Sequence, residues 1–399
     1  MINRFYAAAY WQTLVLLGSF LLIVGEMDAT PEYALLTGNR CINCHVKAQG
    51  GGLRNDLGFY ANEGVSLFQP SKESSLGGVF SNMQNTALDG LLTFGSDIRI
   101  MSARSAVSPI TGESPKRKLF PMQVSFMAAY QATTWLLAEA QVNAGRAVYP
   151  GQQSWSASAI VQPTLDMPSL RVGFFQPSVG LSFDDHTMLV RQEPDASPSP
   201  IIAPYYAELG AEIRYNAPLW LDVSAGVFSS ANLSNVYTTD SVGKARSIVS
   251  DSKIPLLNAR FALTPRFFDD QVNTTIGSSV LLCDDLSMIN SFVGVAWQDN
   301  IGVLVEYMMQ GNRDARQVRA VSSEVFGRLA DPLYVYARME HGTSTNVIRG
   351  AQLSSYCTQY VLGMKILLFP CVEFRPEYRI IETDEFLRTR WMFQLHFYY

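Results

Sequence analysis

Residues 372–380 read Val-Glu-Phe-Arg-Pro-Glu-Tyr-Arg-Ile, and this alternation decides the fold of the 399-residue chain. The even-numbered positions carry apolar or aromatic side chains, together with Pro376, whereas every odd-numbered position carries Glu or Arg. A repeat of two is the repeat of a β-strand, whose successive side chains point to opposite faces. The sequence therefore predicts a strand with one charged face and one apolar face.

The same period of two recurs from about residue 91 onward, for example in residues 92–101 and 257–264. We count roughly 16 such segments, and they run to roughly ten or more residues, which is the length a tilted strand needs to cross a bilayer. A soluble sandwich also alternates, but its strands are usually shorter and its polar face meets bulk water. The pattern predicts an all-β fold, an outer-membrane antiparallel β-barrel of about 16 strands over residues 89–399.

The joins between these segments alternate between tight turns and longer loops, as they do in outer-membrane barrels. The predicted tight turns lie near residues 132–133, 217–218, 299–300, 331–332 and 369–370. The predicted longer loops are residues 103–116, 182–203, 229–252 and 343–354. This alternation predicts an even number of strands, with the N- and C-termini both on the periplasmic side of the outer membrane.

The end of the chain and its composition agree with a barrel. Aromatic or apolar residues occupy every second position from Trp391 to Tyr399, an ending common among bacterial outer-membrane barrels. Apolar residues make up 48% of the chain, and the mean hydropathy is only +0.06, as in a transmembrane barrel, whose strands carry polar lumen residues as well as apolar ones. The net charge of −5 gives no reason to expect a nucleic-acid partner.

The first 29 residues read as a signal peptide. Arg4 supplies a positive charge, residues 13–25 are apolar, and small residues that can precede cleavage end at Ala29. The alternative is a retained membrane anchor. Either reading places the rest of the chain outside the cytoplasm.

Residues 30–88 contain a haem-attachment motif, Cys41-Ile42-Asn43-Cys44-His45. Two thiols at this spacing form thioethers with one porphyrin, and His45 then ligates the iron from the proximal side. A zinc or redox role for the cysteines is the alternative, but zinc needs a second ligand pair that the sequence lacks. We therefore expect one covalent haem c in a monohaem cytochrome c head. A head this short must borrow walls from the barrel to bury a haem.

The second axial ligand of the haem iron is left open by the sequence. His186 and Met83 are the candidates for the distal position, and a five-coordinate iron or another side chain is the alternative. On the loop that holds His186, Asp184 and Asp185 are candidates for an external cation such as Fe²⁺, although acidic loops are usually solvated turns. Of the remaining histidines, His341 is predicted to point to the same side of its strand as Met339, away from the lumen. His396 is predicted to point into the lumen, as Gln394 does.

Arg40 and Arg54 lie close to the motif in sequence and are candidates for pairing with the haem propionates. Four arginines predicted to face the lumen are further candidates, although most of them are expected to pair with Glu373 and Glu377: Arg171, Arg260, Arg375 and Arg379. The three remaining cysteines have no metal-ligand spacing and are expected to be isolated thiols within strands: Cys283, Cys357 and Cys371.

Residues 29–45 resemble the fused cytochrome–porin family of outer-membrane iron oxidases. That family has an Ala-x-Pro-x-Phe-Ala-x-x-Thr-Gly lead-in before a lone Cys-x-x-Cys-His, and Tyr33 stands here in place of the Phe. Leu35 and Leu36 stand where family members often have Arg-Gln. The resemblance implies electron transfer from extracellular Fe²⁺, or another redox substrate, to a periplasmic c-type cytochrome or other redox carrier. If the protein is an enzyme, it is then an oxidoreductase of the Fe(II)–cytochrome type.

Three other functions remain open at this point. The first is a diffusion porin whose haem is a structural plug or a sensor. The second is the same electron conduit running in reverse, so that it reduces an extracellular acceptor. A periplasmic haem peroxidase is the third, and the barrel pattern argues against it. The feature that separates electron transfer from diffusion is whether the lumen is filled.

Overall fold

A computed structural model describes most of the chain beyond the predicted signal peptide. The described residues are 31–47, 50–61, 65–69, 83–104, 117–144, 153–181, 188–190, 205–235, 237–239, 245–249, 251–298, 300–312, 316–348, 351–385 and 387–399. The predicted signal peptide lies outside these residues, as do His186, Asp184 and Asp185. Within them, no helix has the length and apolar character to cross a membrane.

Sixteen antiparallel strands of the described residues form a closed barrel, which confirms the predicted fold. The strands are β1 Leu92–Arg104, β2 Arg117–Thr133, β3 Leu136–Asn143, β4 Trp155–Val161, β5 Ser169–Phe175, β6 Glu208–Tyr215, β7 Leu221–Phe228, β8 Leu256–Leu263, β9 Val272–Cys283, β10 Leu286–Trp297, β11 Ile301–Asn312, β12 Arg316–Ala330, β13 Leu333–Ile348, β14 Ala351–Phe369, β15 Val372–Thr383 and β16 Leu387–Tyr398. Each strand pairs with the next in sequence, and β16 returns to pair with β1 between Asp97 and Ala103.

The barrel is polar inside and apolar outside, the reverse of a soluble protein. On β15 the charged positions face inward, and Arg375 Nη2 lies 3.0 Å from Glu373 Oε1. Arg379 Nε donates to Glu377 Oε2 at 2.7 Å, so the glutamate pairing expected of these arginines is confirmed. Large apolar side chains remain exposed on the outer face of the barrel: Leu209, Ile213, Val293, Trp297, Leu362 and Trp391. An apolar band around a charged interior is the arrangement of a porin-like outer-membrane barrel.

Strand lengths and joins differ from the prediction in several places. The alternation of tight turns and longer loops ends after β8, because residues 284–285, 313–315, 349–350 and 384–386 make short joins at the end where longer loops are expected. Strands β3 to β8 have only seven or eight residues, so the expected length of ten or more is wrong for them. The loop predicted at 343–354 is wrong as well, because β13 reaches Ile348 and β14 begins at Ala351. The segment is rich in serine and threonine, a composition typical of loops. In the structure Thr345 and Ser354 pair across β13 and β14, with their hydroxyl oxygens 3.0 Å apart. The turn predicted at 132–133 lies two residues later.

The connection between β5 and β6 enters the lumen. Ser178 Oγ donates to Glu212 Oε1 at 2.6 Å, and the backbone N–H of Gly180 donates to Ser279 Oγ at 2.9 Å. Farther along, the N–H of Leu189 donates to the carboxylate of Glu340. Inward carboxylates and hydroxyls thus accept from backbone groups that would otherwise be buried without partners.

An apolar cluster accompanies this connection at the end of the barrel with the longer loops. Its members come from the inner wall and from the connections, and all are nearly inaccessible: Phe175, Met188, Leu189, Val190, Leu233, Ile248, Leu256, Leu281, Met288, Met308 and Val318. Close-packed apolar side chains exclude water from the space they occupy. Side chains and backbone of the described residues therefore occupy part of the lumen at this end.

The head fills the opposite mouth, where β1 begins, β16 ends and the tight turns lie. It contains three short helices, α1 Pro31–Thr37, α2 Cys41–Cys44 and α3 Asp56–Tyr60. Two short strand pieces, Thr86–Ala87 and Arg266–Phe267, add to the ends of β1 and β9 at this mouth. The described residues of the head between these helices are loops and turns.

Candidate haem site

The cysteine–histidine motif forms one helical turn inside the mouth of the barrel. Cys41 and Cys44 open and close α2, so their side chains lie on the same face of that turn. His45 leaves the helix in an extended conformation, and its N–H donates to the carbonyl of Cys41 at 2.8 Å. Cys44 and His45 are each 4% exposed, and Cys41 is half-buried. The turn thus presents two thiols and an imidazole in one compact group.

A glycine-rich loop folds back onto this turn. The N–H of Val46 donates to the carbonyl of Leu53 at 3.0 Å, and His45 and Arg54 form an antiparallel bridge. Gly50, at the tip, has φ +84°, and a Cβ there would lie 3.0 Å from the Cys41 Sγ. Glycine therefore serves two needs at this position, the left-handed backbone and the close approach to the sulfur.

Helix α1 binds the head to the wall formed by β9, β10 and β11. Its apolar side chains join a cluster with the inner wall: Tyr33, Leu35, Leu36, Ala296, Leu304, Phe326, Tyr336 and Val361. The helix ends at Gly38, with φ +67°, where a Cβ would lie 2.5 Å from Asn273 Oδ1. The amide of Asn273 donates to the carbonyl of Leu36 at 2.8 Å. The end of α1 is thus fixed directly against β9.

Other contacts tie the head to the remaining sides of the mouth. Arg40 Nη1 donates to the carbonyl of Asn216, in the turn between β6 and β7, at 2.5 Å. Leu53 packs with Met127 of β2, and the N–H of Leu67 donates to the carbonyl of Leu367 of β14 at 2.8 Å. The head therefore spans the lumen from wall to wall, as the sequence prediction of borrowed walls requires.

A cavity of about 100 Å³ lies beside Cys41, and we call it the Cys41 cavity. On the head side it is lined by Arg40 and Cys41, together with residues of α1. The barrel supplies Ala262 of β8, Thr275 of β9 and Leu304 of β11. The space next to the thiol is thus bounded partly by the head and partly by the inner wall of the barrel.

A second cavity, of about 280 Å³, lies on the other side of the motif, and we call it the Lys47 cavity. From the head it is lined by Ile42, Val46 and Lys47, and from the barrel by residues of β2 to β6, among them Leu137. Lys47 Nζ donates to Gln141 Oε1 at 3.2 Å. Burial lowers the pKa of the Lys47 ammonium group.

Charged groups of the wall surround the Cys41 thiol. Asp222 accepts from Arg214 Nε at 2.7 Å and from Arg260 Nη1 at 2.7 Å. Burial raises the pKa of the Cys41 thiol, and the positive charges of Arg260 and Arg214 oppose that shift. The thiol is therefore neutral near pH 7, beside two guanidinium groups and one carboxylate.

The described candidate residues from the sequence occupy three positions around the motif. Arg40 anchors the head to the wall, and the Arg54 guanidinium lies 3.8 Å above the ring of Tyr398. Met83 is half-buried, two residues before Asn85, whose amide donates to the carbonyl of Arg54 at 3.0 Å. All three lie in or against the head. Their predicted roles as propionate partners and distal ligand stay predictions.

His341 and His396 lie on the faces of their strands that the sequence predicts. His341 faces outward and makes a 2.9 Å contact with the Thr358 hydroxyl, whereas His396 faces the lumen with Nε2 3.0 Å from Asp97 Oδ1. Of the three spare cysteines, Cys283 and Cys357 are buried in strands, as expected. Cys371 lies in the turn before β15 instead.

Of the residues that the barrel contributes, the sequence pointed to Arg260, which lines the Cys41 cavity, and Arg171, which lines the Lys47 cavity, and missed most others. Asp222, Ala262 and Thr275 all lie on the inward phase of their strands, and that phase is readable from the alternation. Which strand ends meet the head is not readable, because the contacting residues are far apart in sequence: 176 residues separate Arg40 from Asn216, and 94 separate Lys47 from Gln141. The alternation thus indicates lumen residues in general and does not select among them.

The residues of the turn fit a covalently attached haem. Cys41 and Cys44 form no disulfide bond in the described structure, and His45 follows them within the same buried turn. The tip of the loop at Gly50 leaves room at the Cys41 sulfur that any other residue would fill. The described residues contain no cluster of three or more His, Cys, Asp or Glu side chains suited to a bare metal ion.

The sequence matches no protein-family model and no curated protein. Among solved structures, the chain is similar to OprB of Pseudomonas putida, with 11% identity, a TM-score of 0.49, and coverage of 78% of this chain and 95% of that one. It is also similar to a loop-deletion mutant of OmpT of Vibrio cholerae, with 12% identity, a TM-score of 0.47, and coverage of 77% and 99%. A third is the outer-membrane channel DcaP of Acinetobacter baumannii, with 9% identity, a TM-score of 0.46, and coverage of 77% and 97%.

Proposed function

We propose that this protein is a fused monohaem cytochrome–porin that transfers electrons across the outer membrane through one covalent haem c. The observation that carries the proposal is the position of the Cys41–His45 turn inside the mouth of a barrel. A soluble electron carrier has no need of such a wall. A haem held there shortens the distance that an electron must cross between the two sides of the membrane.

The segments that lie inside the lumen support electron transfer over diffusion. At one end the head spans the mouth from α1 on β9 to the contact between Leu53 and Met127. At the other end the connection between β5 and β6 and its apolar cluster occupy the interior. A diffusing solute needs a continuous aqueous path, whereas an electron does not.

The chain itself would hold, orient and tune the haem. Cys41 and Cys44 supply the two sulfurs of the thioethers, and His45 supplies the proximal imidazole. When bound, the haem supplies one-electron redox chemistry at its iron. Arg214 and Arg260 beside the Cys41 sulfur disfavour additional positive charge in the site, and Asp222 partly balances them. These charges and the exclusion of water by the wall favour a higher reduction potential.

We assign the short-turn end, which holds the head, to the periplasm and the other end to the outside of the cell, as in other outer-membrane barrels. One extracellular Fe²⁺ is then oxidised to Fe³⁺, and one electron reaches a periplasmic c-type cytochrome or other carrier. Reduction of an external acceptor uses the same parts in the opposite direction. This activity corresponds to an Fe(II)–cytochrome oxidoreductase.

A second candidate function is a diffusion porin that the head plugs. The observation in its favour is the way the head occupies the mouth, with contacts to several strands and space left in the Lys47 cavity. In that case the haem would be structural or sensory. The two candidates differ in conductance and in the response of the haem to external reagents.

The deciding experiment uses intact cells that produce the full chain. Fe²⁺ is added outside at fixed pH, and the haem spectrum is followed, with the Cys41→Ala/Cys44→Ala double variant as the negative control and Cys357→Ala as the matched control. Electron transfer predicts reduction of the haem in the native chain and in Cys357→Ala. Solute conductance in planar bilayers, with no response of the haem to external Fe²⁺ or to other impermeant redox reagents, would refute it and favour the porin.

A further inference from the structure

We propose that Glu32 of the head and Glu324 of the barrel wall share one proton and together form a proton-binding site where the head meets the wall. Glu32 is the second residue of α1, and Glu324 lies on the inward face of β12. The site concerns how the head is held in the mouth, so it applies both to the electron conduit and to the plugged porin. Its consequence is that the seating of the head depends on pH.

The two carboxyl groups meet in a place that water hardly reaches. Their side chains lie at hydrogen-bonding distance from each other, and the two residues are 8% and 3% exposed. An ionised carboxylate has only acceptor oxygens, so two carboxylates cannot form a hydrogen bond with each other. Among the described residues, no donor reaches Glu324 Oε1. A proton between the two groups supplies the donor.

The charges around the pair are one positive charge short. Lys365 Nζ of β14 lies 3.4 Å from Glu32 Oε1, and Arg338 Nη1 of β13 lies 3.3 Å from Glu324 Oε2. Arg338 is shared, because its Nε also donates to Glu340 Oε1 at 2.6 Å. Two cations therefore face three carboxyl groups. One proton on the pair makes this group neutral, whereas full ionisation leaves an uncompensated negative charge in the wall.

The other charged groups near the pair are engaged elsewhere or lie farther away. On β11, Glu306 accepts from the Asn290 amide at 2.6 Å. On β15, Glu377 accepts from Arg379 Nε at 2.7 Å. On β12 itself, the next charged side chain on the inward face is Arg328, four residues or about 13 Å along the strand. None of these groups replaces the proton between the two carboxyls.

A proton held at this place links the seating of the head to pH. With the head out of the mouth, both carboxyl groups would face water, where a glutamate has a pKa of about 4.3 and is ionised at neutral pH. Seating the head then takes up one proton. Seating is therefore favoured at low pH and weakens as the pH rises, by about tenfold in the equilibrium constant for each pH unit at most.

Amide variants imitate the protonated pair and remove its titration. In Glu324→Gln the side-chain amide donates to the Glu32 carboxylate at every pH, and in Glu32→Gln the roles are reversed. Glu373→Gln is the matched control, because Glu373 is a buried lumen carboxylate that already accepts from Arg375 Nη2 at 3.0 Å. All proteins are full-length chains in lipid vesicles.

The first measurement is the infrared C=O stretching band of protonated carboxyl groups near neutral pH. We expect one component of this band in the native chain and in Glu373→Gln, and its loss in Glu324→Gln and in Glu32→Gln. The same band in all four proteins would overturn the proposal, because no proton would then lie between the two carboxyls.

The second measurement is hydrogen–deuterium exchange of the α1 amides between about pH 5 and pH 9. At a given pH the ratio of the native exchange rate to that of Glu324→Gln cancels the intrinsic rate and reports how far the head leaves its seat. We expect a ratio near one at low pH that rises with pH, by about tenfold per unit at most, and a Glu373→Gln control that follows the native chain. A ratio that stays level over the whole range overturns the proposal. If Glu324→Gln fails to fold, Glu32→Gln supplies both readouts from the head side.

Discussion

Replacing Asp222 with Asn tests whether the charges beneath the motif form a buried network. Asp222 accepts from both Arg214 and Arg260, whose side chains are only 7% and 8% exposed. In Asp222→Asn the two guanidinium groups stay in the wall, and only a neutral amide oxygen remains to accept from them. Breaking a buried ion pair by removing one partner lowers the free energy of unfolding by about 3–5 kcal/mol. Because the amide oxygen of the introduced asparagine still accepts a hydrogen bond, we expect a loss at the lower end, about 3 kcal/mol.

The chain offers a matched control in the same mouth. Arg266 and Asp270 form an ion pair at 3.6 Å, with side chains 41% and 69% exposed. Solvent screens such a pair, and its contribution is about 0–1 kcal/mol. Asp270→Asn therefore removes the same charge from a neighbouring turn at little expected cost. The difference between the two variants isolates burial as the cause.

The assay is equilibrium unfolding of the barrel in lipid vesicles, followed by tryptophan fluorescence, for the native chain and both variants. We expect the free energy of unfolding to fall by about 3 kcal/mol in Asp222→Asn and by less than about 1 kcal/mol in Asp270→Asn. Equal losses in the two variants would refute the reasoning. In that case water screens the charge of Asp222, and Arg214 and Arg260 do not lie in a region of low dielectric constant.

Three further outcomes follow from the geometry. If Met83 is the distal ligand, Met83→Ala removes the charge-transfer band of methionine-ligated ferric haem. The control Met339→Ala, on the outer face of the barrel, keeps that band. An unchanged band in Met83→Ala excludes Met83 as the ligand. Glu212→Gln combined with Glu340→Gln removes carboxylates that hold the β5–β6 connection, so the conductance in planar bilayers should rise above that of the native chain; equal conductances would contradict the role of the connection as a plug. Burial raises the pKa of Cys371 to about 11, so the rate of its alkylation should be low at pH 8 and rise about tenfold per pH unit up to pH 11; a rate that is already level at pH 9 would contradict this.

The barrel was predictable because its signal is local and repeated. The alternation at residues 372–380 predicts which side chains face the lumen. In the structure Glu373 and Arg379 are buried inside the barrel, as the alternation predicts. Such a pattern needs no knowledge of distant neighbours. The error at residues 343–354 has a local cause as well, because serine and threonine are common both in loops and on the polar face of a strand.

The interior was not predictable, because it depends on which segments leave the wall and enter it. The connection after Phe175 has the composition of an external loop, and its inward path depends on acceptors such as Glu212 and Glu340, far away in sequence. The same applies to the wall of the Cys41 cavity. The motif Cys41–His45 predicts covalent haem from its spacing alone, whereas its surroundings depend on tertiary contacts that no spacing records.

The head and the barrel depend on each other in a way that explains why they share one chain. Tyr33, Leu35 and Leu36 are at most 6% exposed, and their cluster partners lie on the barrel wall. Burying each of these side chains contributes about 1.5–3 kcal/mol, which a separate head of this length could not recover within itself. A soluble partner would also lose several kcal/mol of association entropy on docking into the mouth. Fusion removes that cost and keeps the Cys41–His45 turn at one fixed depth in the lumen.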